Sequence, residues 1–269
     1  MKGIAILGTG PAGLMAAHAA ALDGWPLMLF GQDDGEGNVK KSRLGGAQFL
    51  HQPLPMLHDD QAPDGILTYH TLGDTRTYQK KVYGSTVVPF VSMENVRDGQ
   101  EVPAWSLQNT YETLWDYTSA DKANIVDVTP AWLDEAMEKQ WFDHIISTVP
   151  TPCLCRTMHT EDFVAPHQFV TQSVYIANEA MIEDEDTICF NGDGGYSWYR
   201  SANIFGHGST EWGASVDPPL QTVTVHKPLR TNCDCFADTV QRMGRFGTWT
   251  KGVLTHDSFN NTRNYLRGQ

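Results

Sequence analysis

The sequence lacks the features that mark several common classes of protein. It has no uninterrupted apolar run of roughly 18 residues, so no membrane-spanning helix is predicted and no membrane partner is expected. Basic residues are few: 19 Lys and Arg stand against 32 Asp and Glu, which gives a formal net charge of −13. A protein this acidic does not hold DNA by broad neutralisation of phosphates, so any contact with DNA would be local.

Cysteine is also scarce, and two common catalytic motifs are missing. Five cysteines in 269 residues predict reduced thiols in a cytoplasm rather than a disulfide-linked scaffold. An apolar strand starts at Gly3, so we expect no N-terminal signal peptide. Because the chain has neither a Gly-x-Ser-x-Gly elbow nor a Walker-type phosphate loop, serine-hydrolase and P-loop chemistry are not expected.

Glycine, by contrast, is concentrated at an informative place near the start of the chain. Residues 8–13 read Gly-Thr-Gly-Pro-Ala-Gly. They follow the short apolar run 3–7, which favours a strand, and precede the alanine-rich run 14–22, which favours a helix. A second apolar strand is predicted over residues 26–30. A strand, a glycine turn, a helix and a second strand in this order predict a dinucleotide-binding unit.

Five of the six residues of the turn have a role in that interpretation. Gly8 permits the tight turn, Gly10 lets the backbone approach a pyrophosphate, and Gly13 lets the helix and the strand pack closely. The N-terminus of the predicted helix would face the phosphates with free N–H groups and a positive dipole end, and Pro11 and Ala12 lie just before it. All five residues are candidate cofactor contacts. The alternative is a glycine turn that binds no ligand.

The position that normally binds the ribose of the adenosine half departs from the pattern. An acid usually follows the second strand, but Gly31 stands at that position. Gln32 is the first candidate for a hydrogen bond to the ribose, and Asp33 is the second if the turn is shifted. The departure argues more against NAD than against FAD, which is held at many further points. No second glycine turn with a following helix is present for a nicotinamide cofactor.

Two stretches in the middle of the chain resemble conserved parts of flavoproteins. Residues 140–150 have an aromatic-Asp start, an apolar strand and then small polar residues. They resemble the second conserved segment of two-dinucleotide-fold flavoproteins, which implies a cofactor contact at Thr148. The preceding strand, predicted over residues 124–128, resembles the one whose backbone commonly meets the adenine. That resemblance implies a contact at Val126.

A third such segment lies near the C-terminus. Residues 243–254 resemble the Gly-Arg-aromatic-Gly segment of UDP-galactopyranose mutases and related amine-oxidase-fold proteins, which lies along the flavin and its ribityl chain. A closing helix is predicted after it, with Thr255 or Asp257 as its N-cap. The resemblance implies cofactor contacts at Arg245, Phe246, Gly247, Thr248 and Trp249.

Together, the three segments resemble a compact, phage-type FAD-dependent oxidoreductase of the amine-oxidase and UDP-galactopyranose mutase-like group. The implied fold is α/β, with a Rossmann-like FAD-binding domain of the two-dinucleotide-fold, amine-oxidase type and a smaller β-rich substrate domain. The FAD-binding domain would be discontinuous, over residues 1–60, 120–155 and 236–269. The substrate domain would take residues 61–119 and 156–235, with strands predicted over 172–177, 187–190 and 221–225.

The resemblance extends to the glycine-rich stretch after the second strand, where the backbone of such proteins reaches the flavin. Gly45 and Gly46 meet that need for close approach. His51 would then fall near the flavin ring as a catalytic candidate, or else it is a loop histidine with a satisfied hydrogen bond. The cofactor contacts implied by this stretch are Arg43, Gly46, Ala47, Gln48 and Phe49.

Substrate contacts are expected in the β-rich part. Mutase-like enzymes have a tyrosine and arginine segment on the substrate side of the flavin, and residues 194–206 resemble it. Tyr199 is therefore a catalytic candidate, and Arg200 and Asn203 are substrate candidates. Arg200 would clamp a carboxylate or phosphate with two hydrogen bonds, or else form a surface salt bridge. Tyr83, from an aromatic-rich region in which most rings serve packing, is the remaining substrate candidate.

Four of the five cysteines form two Cys-x-Cys pairs, Cys153 with Cys155 and Cys233 with Cys235. Four thiolates make a closed tetrahedral zinc site, although the usual spacing is Cys-x-x-Cys. His159 and His167 would be substitutes for a missing thiolate. The alternative is four free cysteines, because both thiols of such a pair on an extended strand point to one face, which ordinary burial accepts.

The resemblance implies oxidation of an amine. In the amine-oxidase fold, FAD takes a hydride from a carbon next to nitrogen, and hydrolysis of the imine cleaves the C–N bond. Some phage-encoded relatives act, in the host cytoplasm, on glycine attached to the thymine methyl carbon of phage DNA. Arg200 or Arg43 would then hold the glycyl carboxylate, and Trp249 (also a catalytic candidate) or Tyr199 would stack on a base that has left the duplex.

Two other functions stay open at this point. One is a non-redox flavoenzyme of the UDP-galactopyranose mutase type, which acts on a sugar nucleotide and needs reduced flavin. The other is a protein that holds FAD without turnover. Partners are accordingly expected to be a small amine or a modified base, with DNA contacted locally if the base is part of DNA.

Overall fold

The structure, a computed structural model, describes residues 2–58, 62–83, 96–159 and 166–268. The chain divides into two units, each assembled from segments that are distant in sequence. The first unit comprises Met1–Arg43, Tyr111–Thr171 and Pro228–Gln269, and the second comprises Leu44–Thr110 and Gln172–Lys227. Neither unit is one continuous stretch of chain, so the chain passes between them more than once.

A parallel sheet forms the centre of the first unit. Its strands are β1 (Ile4–Leu7), β2 (Leu27–Gly31), β6 (Asn124–Ile125), β7 (His144–Ser147) and β13 (Val240–Arg242). They lie in the order β13-β7-β1-β2-β6, and every neighbouring pair is parallel. All four residues of β1 are buried, as expected for a continuous apolar strand that is covered on both faces.

The helices that belong to the first unit are α1 (Pro11–Leu22), α4 (Pro130–Glu138), α5 (Thr151–Leu154), α6 (Gly244–Thr248) and α7 (Asp257–Arg267), with short 3-10 helices at Ala120–Lys122 and Arg156–Met158. α1 is buried at every position from Gly13 to Ala20, and His18 is the one polar side chain in this otherwise apolar stretch. α7 packs against α1. Asp23, just after α1, also binds Arg263 and Arg267 of α7.

The start of α7 differs from the sequence prediction. We expected Thr255 or Asp257 as the N-cap, but the N-cap is His256, and its side chain makes no capping hydrogen bond. Asp257 is instead the first helical residue, and its carboxylate accepts a hydrogen bond from the backbone N–H of Leu254 at 2.7 Å. The aspartate therefore closes the turn that precedes the helix rather than capping the helix itself.

A second, mixed sheet forms most of the second unit. Its strands are β3 (Phe49–Leu50), β4 (Gly65–Gly73), β5 (Gln100–Ser106), β8 (Phe169–Ala177), β9 (Thr187–Gly192), β10 (Arg200–Ile204), β11 (His207–Gly213) and β12 (Val223–Thr231). They lie in the order β12-β8-β11-β10-β9-β4-β5-β3, with β4 and β9 parallel. Among the described residues, two further helices are present: α2 (Thr75–Tyr83) in this unit and α3 (Leu107–Tyr117), which spans the sequence boundary of the units.

The core of the second unit lies on the faces of this sheet. Leu67 of β4, Ile188 of β9 and Ala202 of β10 are almost completely buried and contact one another. Neighbouring strands thus each contribute an apolar side chain to the same cluster, which is how a sheet becomes fixed in one register. Within the part of the chain that is described, no helix is both long and apolar enough to cross a membrane.

Candidate functional site

Several of the predicted cofactor contacts follow the carboxyl ends of the parallel strands in the first unit. β1 leads into the glycine turn at Gly8, β2 leads into Gln32, β6 into Val126 and β7 into Thr148, while β13 leads into α6. Because the five strands are parallel, their carboxyl ends lie at one edge of the sheet. Open α/β sheets bind ligands at that edge. The first unit therefore gathers the three segments that are far apart in the sequence.

Two glycines of the turn, Gly8 and Gly13, have no room for a Cβ atom. A Cβ atom on Gly13 would lie 1.8 Å from the carbonyl oxygen of Gly8, so only glycine lets α1 approach the turn. Gly8 has φ +105°, and a Cβ atom there would lie 2.6 Å from Oγ1 of Thr148. Gly10 is the N-cap of α1 and Pro11 follows it, so the N-cap offers no side-chain oxygen to the first helical amides. A bare backbone next to a helix N-terminus suits a pyrophosphate.

The C-terminal segment packs directly against this turn. A Cβ atom on Gly244, whose φ is +70°, would lie 2.7 Å from Cβ of Ala12. A Cβ atom on Gly247 would lie 2.6 Å from the carbonyl oxygen of Ser147, the last residue of β7. Thr151 holds this approach in place, since its hydroxyl donates to the carbonyl oxygen of Gly247 at 2.6 Å. Glycines from distant parts of the chain thus form one close-packed corner of the unit.

Trp249 follows α6 in the left-handed conformation, with φ +53°. Its indole is buried, and the rings of Phe169 and Phe246 contact it edge-on. Its Nε1 has no hydrogen-bond partner among the residues that the structure describes. Buried N–H groups normally have one, so an acceptor atom of a bound cofactor fits here. The two polar residues of α6, Arg245 and Thr248, instead donate to backbone carbonyls.

An open cleft of ≈ 490 Å³ lies between the ends of β2 and β6, and it is lined by Gln32, Asp33, Ile125, Val126 and Asp127. It contains all three residues that were predicted to meet the adenosine half, Gln32, Asp33 and Val126. The carboxylate of Asp33 is engaged within its own turn, where it accepts two backbone N–H groups of following glycines. Asp127, which sequence analysis missed, is exposed. Gln32 and Asp127 are therefore the candidates for hydrogen bonds to a ribose.

The structure also explains why no acid stands at Gly31. A Cβ atom there would lie 2.6 Å from Cγ1 of Val39 and 3.1 Å from the side chain of Thr9. The chain after β2 folds back at this point, with a bridge between Asp33 and Val39, so a side chain on residue 31 would collide with it. Arg43, farther along the same segment, is exposed.

In the second unit, the glycine-rich stretch lies beside a buried carboxylate. Gly46 has φ +75°, and a Cβ atom there would lie 3.0 Å from Oε1 of Glu211. Gln48 lines a smaller cleft of ≈ 210 Å³. His51 is exposed, and its ring contacts that of Phe49 at a centroid distance of 4.5 Å. The approach of these residues to a flavin stays a prediction.

Tyr199 and Arg200 belong to a buried ionic cluster around Glu211, a residue that sequence analysis missed. The Glu211 carboxylate binds Arg200, Lys227 and the hydroxyl of Tyr199, and the residue is only 1% exposed. Burial alone would raise the pKa of Glu211, but the charges of Arg200 and Lys227 outweigh it and hold that pKa well below its usual range. Burial, together with the Glu211 charge, raises the pKa of Tyr199, so the phenol stays protonated. The surface salt bridge considered for Arg200 is thus wrong, since its partner is buried.

The remaining two substrate candidates are Asn203 and Tyr83. Asn203 is in β10, where its backbone pairs with Thr187 and Gly208, and its side chain is partly buried. Tyr83 is the last residue of α2, and its side chain lies outside the described residues. Both stay predictions as substrate contacts.

A cluster of thiol and imidazole groups, here called the Cys/His cluster, lies in the first unit: Cys155, His167, Cys233 and Cys235, whose ligand atoms all lie within 4.8 Å of one another. Cys153 is not part of it. Residues 151–154 form α5, so the thiols of Cys153 and Cys155 do not share a face as they would on an extended strand. His167 takes the fourth place, and His159 does not join the cluster.

Comparisons with known proteins identify the fold. No protein-family model and no curated protein matches the sequence. Among solved structures, reduced UDP-galactopyranose mutase matches with a TM-score of 0.58 at 12% identity, over 99% of this chain and 94% of that one. A geranylgeranyl bacteriochlorophyll reductase-like protein from Thermoplasma acidophilum matches with a TM-score of 0.52 at 12% identity, over 98% and 77%. A flavin-dependent halogenase from Brevundimonas sp. BAL3 matches with a TM-score of 0.52 at 12% identity, over 98% and 71%.

These matches confirm the fold class predicted from the sequence. A Rossmann-like parallel sheet is accompanied by a second, β-rich part, as in the flavoproteins that the chain resembles. At identities this low, the likeness concerns the fold alone. The chain therefore has the α/β fold of this group of flavoproteins.

Proposed function

We propose that this protein binds FAD at the carboxyl edge of its parallel sheet and uses it to oxidise a C–N bond of an amine or of an amino-acid-modified base. The observation that carries the FAD part is the glycine corner, where Gly8, Gly13, Gly244 and Gly247 each lie too close to neighbouring atoms for a Cβ. Close packing of this kind brings bare backbone, a helix N-terminus and the unpartnered Nε1 of Trp249 to one edge of the sheet.

The chain divides the work of holding FAD among its segments. The backbone N–H groups at the start of α1 donate to the pyrophosphate, and Gln32 and Asp127 bind the ribose of the adenosine half. The segment from Arg245 to Trp249 lies along the flavin, as the sequence resemblance implies. When bound, FAD supplies the redox chemistry by accepting a hydride from a carbon next to nitrogen.

The amine part of the proposal rests on the resemblance of residues 243–254 to amine-oxidase-fold proteins. The proposed substrate is a glycine-modified thymidine. Of the two arginines considered for its carboxylate, Arg200 is already paired with Glu211, so the exposed Arg43 is the proposed contact. The balanced reaction consumes O2 and water at the glycyl C–N bond. It releases hydrogen peroxide, glyoxylate and the aminomethyl base in equal amounts. A base within DNA must leave the duplex to react.

The first experiment is an absorbance spectrum of the purified protein, followed by anaerobic addition of a glycine-modified thymidine. We expect a yellow protein with the two absorbance bands of oxidised flavin, and we expect the substrate to bleach them. Admission of air should then restore the colour and release glyoxylate and hydrogen peroxide. Unmodified thymidine is the control and should leave the spectrum unchanged. A colourless protein that takes up no added FAD would contradict the whole proposal.

A second candidate function follows from one specific observation, the shared fold with UDP-galactopyranose mutase over nearly the whole of both chains. In that case the protein acts on a sugar nucleotide without net oxidation. A yellow protein that glycine-modified thymidine does not bleach, but that converts UDP-galactopyranose only after reduction with dithionite, would establish this second function. The same result would contradict the proposed oxidation of a C–N bond and would leave the proposed FAD site in place.

Asp127→Ala should weaken the binding of FAD by about three- to tenfold, because the net contribution of an exposed hydrogen bond of this kind is about 0.7–1.4 kcal/mol and 1.4 kcal/mol corresponds to tenfold. Gln32→Ala should have a smaller effect in the same direction. Fluorescence titration of the apoprotein with FAD measures both. FMN lacks the adenosine half, so its affinity should not change in either variant. Asp121→Ala, which removes an exposed acid outside the cleft, is the matched control. Equal losses for FAD and FMN would contradict the assignment of the cleft to adenosine.

A further inference from the structure

The Cys/His cluster has the geometry of a metal site rather than of chance burial. Its four ligand atoms come from two segments distant in sequence and lie within 4.8 Å of one another. Nδ1 of His167 lies 3.3 Å from Sγ of Cys155 and 3.7 Å from Sγ of Cys235. Ligands around a tetrahedral zinc ion, at bond lengths of 2.0–2.3 Å, are about 3.3–3.8 Å apart. The observed separations therefore enclose a space that fits one such ion.

The orientation of His167 is a second, independent observation. Its Nδ1 faces the sulfur atoms, while Nε2, on the other side of the ring, lies 3.7 Å from Oδ1 of Asp234. Histidines that bind a metal through one ring nitrogen typically direct the other N–H to a carboxylate, which fixes the tautomer and the ring plane. One ring nitrogen thus faces the cysteine thiols, and a carboxylate lies near the other ring nitrogen.

The backbone around the cluster is held by further hydrogen bonds. Arg242, the last residue of β13, donates to the carbonyl oxygens of both Cys233 and Cys235. Oγ1 of Thr157 accepts the backbone N–H of His167 at 3.1 Å. Both segments are therefore fixed by neighbours that do not themselves join the cluster, as in a site that is built before the ion binds.

We propose that Cys155, His167, Cys233 and Cys235 bind one zinc ion in a closed, tetrahedral, structural site. Three thiolates and one imidazole are a standard ligand set for zinc, and four protein ligands leave no open position for catalysis. The ion ties the chain after α5 to the chain before β13. This site involves none of the residues assigned to FAD, so it does not depend on the proposed function.

Metal analysis of the purified, untagged protein tests the proposal, with zinc chloride supplied during growth and reducing conditions kept throughout. We expect about one zinc per chain, and we expect Cys155→Ser and Cys233→Ser each to lower it at least about tenfold. Cys153→Ser is the matched control, since it removes a thiol only two residues away, and His159→Ala is the corresponding histidine control. Both should retain the zinc of the wild type.

Ligand variants that fail to fold would also lose zinc, so a second measurement uses the wild-type protein alone. Native mass spectrometry should show one bound zinc that denaturation releases, and a thiol reagent should modify Cys153 well before the three cluster cysteines. After treatment with a strong chelator, the thiol reagent should modify the cluster cysteines as fast as Cys153. The proposal would be overturned if the wild-type protein took up no zinc or contained a disulfide within the cluster. It would also be overturned if Cys153→Ser lost as much zinc as the variants of the cluster cysteines.

Discussion

Gly13→Ala should abolish FAD binding and strongly destabilise the protein. The added Cβ would lie 1.8 Å from the carbonyl oxygen of Gly8, which belongs to the backbone and has no room to yield. Either α1 moves away from the turn or the turn itself opens, and both displace the backbone that would hold the pyrophosphate. Overpacking of this severity costs about 1–3 kcal/mol or more of the free energy of unfolding. Flavin absorbance and chemical denaturation measure the two effects on the same sample.

The control for this prediction is a glycine with open surroundings. A Cβ atom on Gly194 would have no neighbouring atom within 4 Å, and the residue has a backbone conformation that other residues adopt. Gly194→Ala should therefore keep both the flavin and the stability of the wild type. Full flavin content in Gly13→Ala would show that the close approach of helix and turn is not needed for the cofactor, and would contradict the glycine corner as its site.

Glu211→Ala should lower the free energy of unfolding by about 3–5 kcal/mol, because it leaves the charges of Arg200 and Lys227 without the buried carboxylate between them. Urea denaturation followed by circular dichroism measures the change. Glu112→Gln is the comparison, since its ion pair with Lys41 is exposed and contributes about 0–1 kcal/mol. A loss in Glu211→Ala no larger than that of Glu112→Gln would show that the cluster around Glu211 contributes little to folding.

The same carboxylate predicts a dependence on pH. Its folded-state pKa lies below the unfolded value of about 4.3, so the stabilisation that it provides is fully present above that pH and decreases as the pH falls. Glu211→Gln has no charge to titrate at this position. The difference in stability between the wild type and Glu211→Gln should therefore be constant from neutral pH down to about pH 5 and should shrink at more acidic pH.

Local sequence patterns were sufficient for the elements that carry the proposed cofactor site. The turn at Gly8 to Gly13 and the strand and helix around it follow from rules that act within a few residues, namely strand and helix propensity and the steric freedom of glycine. The edge of the sheet on which Gln32 and Val126 lie follows as well, because parallel strands bring their carboxyl ends together.

Side chains whose role depends on distant partners were missed or misplaced. Glu211 lies between buried residues in β11, and nothing near it in sequence shows that Arg200 and Lys227 meet there. The Cys-x-Cys spacing suggested two equivalent pairs, but α5 takes up Cys153 and a histidine replaces it. Asp127 was also missed, but it could have been found from the sequence, because it follows Val126 at the same strand end.

The packing of α7 on α1 has a consequence for how the chain folds during synthesis. α1 is buried from Gly13 to Ala20, and one of its neighbours is supplied by residues more than 200 positions later. Until that later segment leaves the ribosome, the face of α1 that α7 covers stays exposed, and the parallel sheet lacks its outermost strand, β13. Contacts this remote in sequence close slowly. Shielding of the nascent chain by chaperones should therefore matter more for this protein than for one whose parallel sheet is built from a continuous stretch of chain.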